Sequence, residues 1–179
     1  MKNTTTCLLL CLLGLSGVAQ AACNPNIPLT RPDSRYEAVA GATPAGSEVR
    51  DKVTGLVWQR CVVGMAWNGT ACTGTASNLT WQNALDAART ATASTATTGA
   101  SATWRVSNHA ELYSLAERAC YNRAINTTWF PATPSGWTWS SSPSANDSAA
   151  AWGVSFDVGL GNLAYKSSAY RVRLVRSGQ

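Results

Sequence analysis

Histidine is almost missing from this chain: His109 is the only one in 179 residues. A single imidazole excludes the iron sites of oxygenases, which need several. Any Ser-His-Asp triad would have to use His109, and no G-x-S-x-G nucleophile elbow is present. Charge is also scarce, at 13% of residues. There is no dense basic stripe, so nucleic acid is a poor partner. Past the first 21 residues, no apolar run approaches the roughly 20 needed to cross a bilayer. Closely spaced cysteine pairs such as C-x-x-C are absent, which argues against structural zinc. No internal repeat is visible.

What is present begins at the first residues. Lys2 gives a positive charge, an uncharged and mostly apolar run extends from Cys7 to Val18, and Ala19-Gln20-Ala21 supplies small residues for a signal peptidase. That order predicts a secretory leader over residues 1–21, cleaved after Ala21. A periplasmic, cell-surface or secreted location follows, with no transmembrane segment after cleavage. Cys23 raises the alternative of a lipid-anchored cysteine, but the leucine-like residue such signals carry three positions earlier is Gln20 here. The formal net charge of +5 falls by one when Lys2 leaves. A mildly basic balance permits an anionic partner without requiring one.

Cys7 and Cys11 leave with the leader, and Cys23, Cys61, Cys72 and Cys120 remain. An even count in an exported chain reads as a disulfide framework with three formal pairings. Cys61–Cys72 and Cys23–Cys120 are favoured. The first closes a short loop containing Gly64, Asn68 and Gly69; the second ties the N-terminal tail to the end of a helix.

The mature length suits one domain. Residues 22–47 read as an N-terminal extension with an extended Pro- and Asn-rich start, and residues 48–179 as the domain. Strands are predicted at Tyr36–Ala40, Glu48–Arg50, Leu56–Cys61 and Thr138–Ser141. The alternation of Trp152, Val154, Phe156 and Val158 predicts a half-buried strand, and Leu163–Lys166 and Tyr170–Val175 complete a meander. Trp81, Ala84, Leu85 and Ala88 share one helical face behind a Thr80 cap. This helix is expected to fade into a loose Ala, Thr and Ser loop over Thr90–Thr103. Asn108 and Glu111 have capping-box spacing for a second helix, which presents Leu112, Leu115 and Ala119 to the core and ends at Cys120. Two helices with an antiparallel sheet, stabilised by disulfides, define an α+β fold.

Seven motifs in this order resemble a known family. They are Thr54-Gly55-Leu56-Val57-Trp58-Gln59; Thr80-Trp81-Gln82-Asn83-Ala84-Leu85; Trp104-Arg105-Val106-Ser107-Asn108 with Glu111-Leu112; Ile125-Asn126 with Phe130-Pro131; Trp139-Ser140-Ser141-Ser142; Ala151-Trp152-Gly153-Val154-Ser155-Phe156; and Val172-Arg173-Leu174-Val175-Arg176. Together they resemble the Lcl C-terminal domain, named after a Legionella collagen-like adhesin, from about Glu48 to Arg176. The family's Leu-Pro after Trp-Arg is Val106-Ser107 here, and its Asp before that Trp is Thr103. No collagen-like repeat is present, so the chain matches the head without the stalk. The resemblance implies a C-type-lectin-like fold related to the formylglycine-generating enzyme superfamily. It also implies a lead to sulfated glycosaminoglycans, which the namesake domain binds.

The implied enzyme chemistry lacks its residues. The formylglycine-generating enzymes use a cysteine pair, and no cysteine follows Cys120. His109 sits beside a helix cap, where a structural or solvated role suffices. Asn146, Asp147 and Asp157 offer oxygen to calcium, but Asn and Asp are common in turns for backbone reasons. The expectation is therefore a non-enzymatic binding domain with no cofactor and no metal. Its partner is an anionic glycan or, as the runner-up, a protein of an envelope or pilus-like assembly. If Tyr170, Val172 and Leu174 point inward, Arg171 and Arg173 stand together on the outer face, with Arg176 and Lys166 nearby. Guanidinium groups suit sulfate and carboxylate. Trp67 and Trp137 lie in loop-like contexts and are candidate stacking surfaces.

Overall fold

The structure, a computed structural model, describes residues 22–97 and 103–178. The expected leader over residues 1–21 lies outside the described residues, as do residues 98–102 of the expected loop. In chain order the elements are β1 (Ala22–Cys23), β2 (Tyr36–Ala38), β3 (Glu48–Asp51), β4 (Leu56–Gln59), β5 (Met65–Trp67), β6 (Cys72–Gly74), α1 (Trp81–Thr97), β7 (Arg105–Val106), α2 (His109–Tyr113), β8 (Cys120–Tyr121), β9 (Trp137–Pro143), β10 (Ala150–Ser155), β11 (Leu160–Tyr165) and β12 (Leu174–Ser177). The fold is α+β, with two α-helices and antiparallel strand ladders among the described residues.

The main sheet has the order β2-β3-β4-β12-β7, a second has β11-β10-β9, and β1-β8 and β5-β6 form small ribbons. The C-terminal strand β12 thus lies inside the main sheet, with Val175 opposite both Trp58 and Arg105. The β3–β4 turn is built from its side chains. Asp51 accepts from the Val53 N–H at 3.0 Å and the Thr54 hydroxyl at 2.9 Å, while Gly55 takes the left-handed φ of +71°. The same carboxylate, fully buried, pairs with Arg35. Burial alone would raise the Asp51 pKa; the bonds from Arg35, Val53 and Thr54 outweigh it and hold the group below the usual carboxylate range.

Each face of the main sheet is covered. One core joins Tyr36, Val49, Trp58 and Val175 of the sheet to Leu112, Leu115, Phe130 and Phe156. The other joins Val57, Val106, Val172 and Leu174 to Ala84 and Ala88 of α1 and to Trp104 and Trp139. Burying apolar surface on both sides of one sheet supplies most of the driving force for folding.

The two expected disulfides are formed, Cys23–Cys120 across β1 and β8 and Cys61–Cys72 around the β5–β6 hairpin. A Cys23 sulfur committed to Cys120 leaves no thiol for lipid attachment. The N-terminal segment is no free tail. Buried Glu117 accepts from the Thr30 hydroxyl at 3.0 Å and the Arg31 N–H at 2.6 Å, and β2 contributes an edge strand and core residue Tyr36.

Four expectations need correction. Helix α1 does not fade at Thr90 but runs to Thr97. Alanine favours helix, and the Thr92 hydroxyl, bonded to both the N–H and the carbonyl of Trp104 at 2.9 Å, fastens this stretch to the body. Helix α2 keeps the predicted Asn108–Glu111 capping box but stops at Tyr113. Its exit tightens through i+3 bonds at Leu115 and Ala116, and the Glu117 N–H is then taken by the Ala124 carbonyl, leaving nothing to continue the helix. Strand β10 is buried on both faces rather than half-buried, because Val154 packs into one core and Ala151 into the other, and Val158 is exposed in the turn that follows. Finally, the last ladder spans only Leu174–Ser177. Residues 170–173 bridge the two sheets, with Tyr170 opposite Leu79 and Arg171 opposite Thr138.

Candidate functional site

Arg171 and Arg173, expected to stand together on one outer face, separate. Arg173 is fully buried. One guanidinium nitrogen donates to the carbonyls of Gln59, at 2.9 Å, and Arg60; the other donates to the Thr133 hydroxyl at 2.8 Å, and the cation lies 4.9 Å from the centre of the Phe130 ring. Burial lowers its pKa from the ordinary arginine value. It is a structural strut and cannot meet a ligand. The alternation along the strand holds, but the side opposite Leu174 is a second core and not solvent. Arg176 is engaged in a different way. It pairs with Glu48 at 2.7 Å and lies over the Trp104 ring at 5.6 Å.

Arg171 remains accessible. Its backbone locks the bridge between the sheets: its N–H donates to the Trp137 carbonyl at 3.1 Å, and its carbonyl accepts from the Trp139 N–H at 2.9 Å. The half-buried side chain runs past Gly136, the residue before Trp137, and an aromatic cluster lies at the same junction. Trp137 stacks on Tyr170 with centroids 6.2 Å apart and planes 28° apart, and Tyr170 packs on buried Trp139 at 4.6 Å. Gly136 makes room: it has a φ of +100°, and a Cβ there would come within 3.1 Å of Arg171 Nη1. Arg171 has no carboxylate partner among the described residues, and its Nε is buried without an acceptor. The Nε of Arg173 is buried without an acceptor in the same way, so the accessible part of Arg171 is what sets it apart.

Lys166 stands at the other end of the same return segment. Its ammonium donates to the Ser148 carbonyl at 2.8 Å and lies 4.5 Å from the centre of the Trp81 ring. Trp81 in turn donates its indole N–H to the Ser140 carbonyl at 2.8 Å. Trp67 belongs to another place. Its ring packs under Arg60 at 4.5 Å, its N–H is taken by the Ala45 carbonyl at 3.1 Å, and it lines a cleft of about 240 Å³ with Pro44, Glu48, Gln59, Met65 and Trp104.

A scan against family models settles the lineage, since the Lcl C-terminal domain matches residues 47–176. The chain belongs to the Lcl C-terminal domain family. No curated protein and no solved structure matches it.

The remaining polar candidates of this Lcl C-terminal domain are dispersed. Asp147 precedes β10 and accepts from the Ala149 N–H at 2.8 Å, a turn role, while Asp157 follows β10, so the proposed calcium oxygens sit at opposite ends of a strand. Among the described residues, no group of three His, Cys, Asp or Glu side chains is placed to hold a metal. No helix among them is long and apolar enough to cross a membrane. His109 packs on Trp152 at 4.6 Å and on Tyr113 at 5.8 Å, and burial lowers its pKa. Tyr170 and Gly136 escaped the sequence reading. Tyr170 was assigned wholly to the core, and the freedom of Gly136 matters only because the fold brings Arg171 across it.

Proposed function

We propose that this Lcl C-terminal domain is an exported, non-catalytic binding module whose Arg171–Trp137–Tyr170 ledge takes an acidic sugar of an extracellular glycan. The observation that carries the reading is a half-buried guanidinium without a carboxylate partner among the described residues, on a backbone hydrogen-bonded to that of Trp137, whose ring stacks on Tyr170. A carboxylate or sulfate matches the guanidinium donors, and the apolar face of a sugar ring packs on exposed aromatic surface. Lys166 over Trp81 offers a second, weaker cation along the same segment. Export is supported by the Lys2 to Ala21 pattern and by two disulfides, which persist in oxidising compartments. The same reading takes the fold as C-type-lectin-like, on the strength of the family resemblance.

The test is binding of the oxidised mature chain to immobilised heparin-like, uronate-containing and neutral glycans across a salt series. Arg171→Ser and Trp137→Ala are run beside it. Binding to the acidic glycans that weakens with salt, and falls at least tenfold in both variants without loss of fold, is the expected result. Absence of binding to every glycan at low salt would overturn the reading.

A further inference from the structure

Strand β11 is the outer strand of the β11-β10-β9 sheet. Its inner side is spent on β10. The Ser155–Leu160, Gly153–Asn162 and Ala151–Ala164 pairs continue into the Gly159 N–H on the Ser155 carbonyl at 2.9 Å and the Lys166 N–H on the Ala149 carbonyl at 2.8 Å. The alternation of an antiparallel ladder then turns the backbone groups of Gly161, Leu163 and Tyr165 outward. The Leu163 N–H is met by the side chain of its own neighbour, Asn162 Oδ1, at 2.8 Å, and the Tyr165 carbonyl by the Ser168 N–H at 2.8 Å. No strand covers this edge among the described residues. Exposed edges usually carry a lysine, a proline or a bulge against pairing. From Leu160 to Tyr165 there is neither charge nor proline, and the register shift of this sheet falls on the β9 side. Leu160, Leu163 and Tyr165 are 58%, 39% and 66% exposed.

We propose that this edge is a homodimer contact, in which β11 pairs antiparallel with β11 of a second copy about a two-fold axis at Leu163, joining two three-stranded sheets into one of six. The residues select this register. With Leu163 opposite itself, Gly161 faces Tyr165 of the second copy. Gly161 cannot carry a side chain, because a Cβ there would lie 2.5 Å from His109 Nε2. The incoming tyrosine ring therefore stands across from a bare glycine, the arrangement in which an aromatic covers an edge glycine, and comes beside the His109–Trp152 stack. Like charges are not opposed, since the only cation near the strand ends, Lys166, faces Leu160. With six residues from each copy, the contact is well below the roughly 20–30 residues a side of standard stable interfaces, so the dimer is weak and dissociates on dilution. The inference does not depend on what Arg171 binds.

Sedimentation equilibrium of the oxidised mature chain over a concentration series tests it, with Leu163→Lys, Leu163→Cys and Leu160→Cys in parallel. The wild type should shift toward twice the monomer mass as concentration rises. Leu163→Lys, which opposes two ammonium groups on the axis, should stay monomeric with an unchanged melting temperature. In an outward-facing pair on the axis the Cα atoms stand about 5.5 Å apart, within disulfide reach, so Leu163→Cys should oxidise to a covalent dimer. Leu160 lies roughly 20 Å from its own copy in this register, so Leu160→Cys should not. A monomer at the highest soluble concentration, a dimer unmoved by Leu163→Lys, or equal cross-linking at both cysteines would overturn the proposal.

Discussion

Replacing Arg173 with Met tests whether this arginine is a strut and not a ligand residue. The side chain makes hydrogen bonds to Gln59, Arg60 and Thr133 from a site with no solvent exposure. Bonds from a charged donor contribute about 1.5–3 kcal/mol each, and each acceptor stranded in the core costs about 1–3 kcal/mol. Removing the cation also removes the several kcal/mol of its own desolvation, because no carboxylate offsets it among the described hydrogen bonds. Methionine fills the aliphatic part of the volume. The net loss is then about 3 kcal/mol, or a fall in melting temperature of about 6–12 °C for a domain of this size. Urea unfolding of the purified chain with its disulfides intact measures it, and Arg171→Ser in the same assay should stay within about 0.5 kcal/mol of wild type. If Arg173→Met falls within 1 kcal/mol of wild type, or Arg171→Ser loses as much as Arg173→Met, the assignment of roles to the two arginines is wrong.

The disulfides close loops of very different length, with sequence separations of 97 for Cys23–Cys120 and 11 for Cys61–Cys72. Chain entropy predicts that the Cys23→Ser/Cys120→Ser pair costs about 5 kcal/mol and the Cys61→Ser/Cys72→Ser pair about 3 kcal/mol, read as shifts in urea midpoint at constant slope. Stability should also fall with acid in two steps. Burial depresses the His109 pKa in the folded state, so the unfolded chain takes up the proton first, and stability declines as pH drops below about 6.5. Asp51, Glu111 and Glu117 are held below their ordinary values by hydrogen bonds that outweigh burial, so their contribution is present above about pH 4 and is lost as pH falls through their folded pKa values. His109→Phe should abolish the upper step and leave the lower one; an upper step that persists would show that another group causes it.

Local signals in the sequence located most of the elements. The Asn108–Glu111 spacing found the start of α2 because a capping box is a contact within four residues. The turn chemistry of Asp51 to Gly55 found the β3–β4 hairpin for the same reason. The misjudged features depend on distant partners. Helix α1 extends through a low-complexity stretch because Thr92 meets Trp104, and α2 ends early because Ala124 claims the Glu117 N–H. Neither partner is announced by the sequence near the residue it acts on.

The candidate site shows the same division more sharply. Period-two reasoning put Tyr170, Val172 and Leu174 on one side and Arg171 and Arg173 on the other; Tyr170, Val172 and Leu174 do join one core, and Arg173 packs on Phe130 of the other. Parity fixes which residues share a side; it says nothing about what covers that side. In a sheet with one dry face, the second set would be wet. Here Phe130 and Thr133 cover Arg173, while Arg171, two residues earlier, lies at the junction of the sheets, half-buried against Gly136. Two chemically identical side chains two residues apart thus meet different surroundings, one fully buried and holding Gln59, Arg60 and Thr133 together and the other half-buried with no carboxylate partner among the described residues.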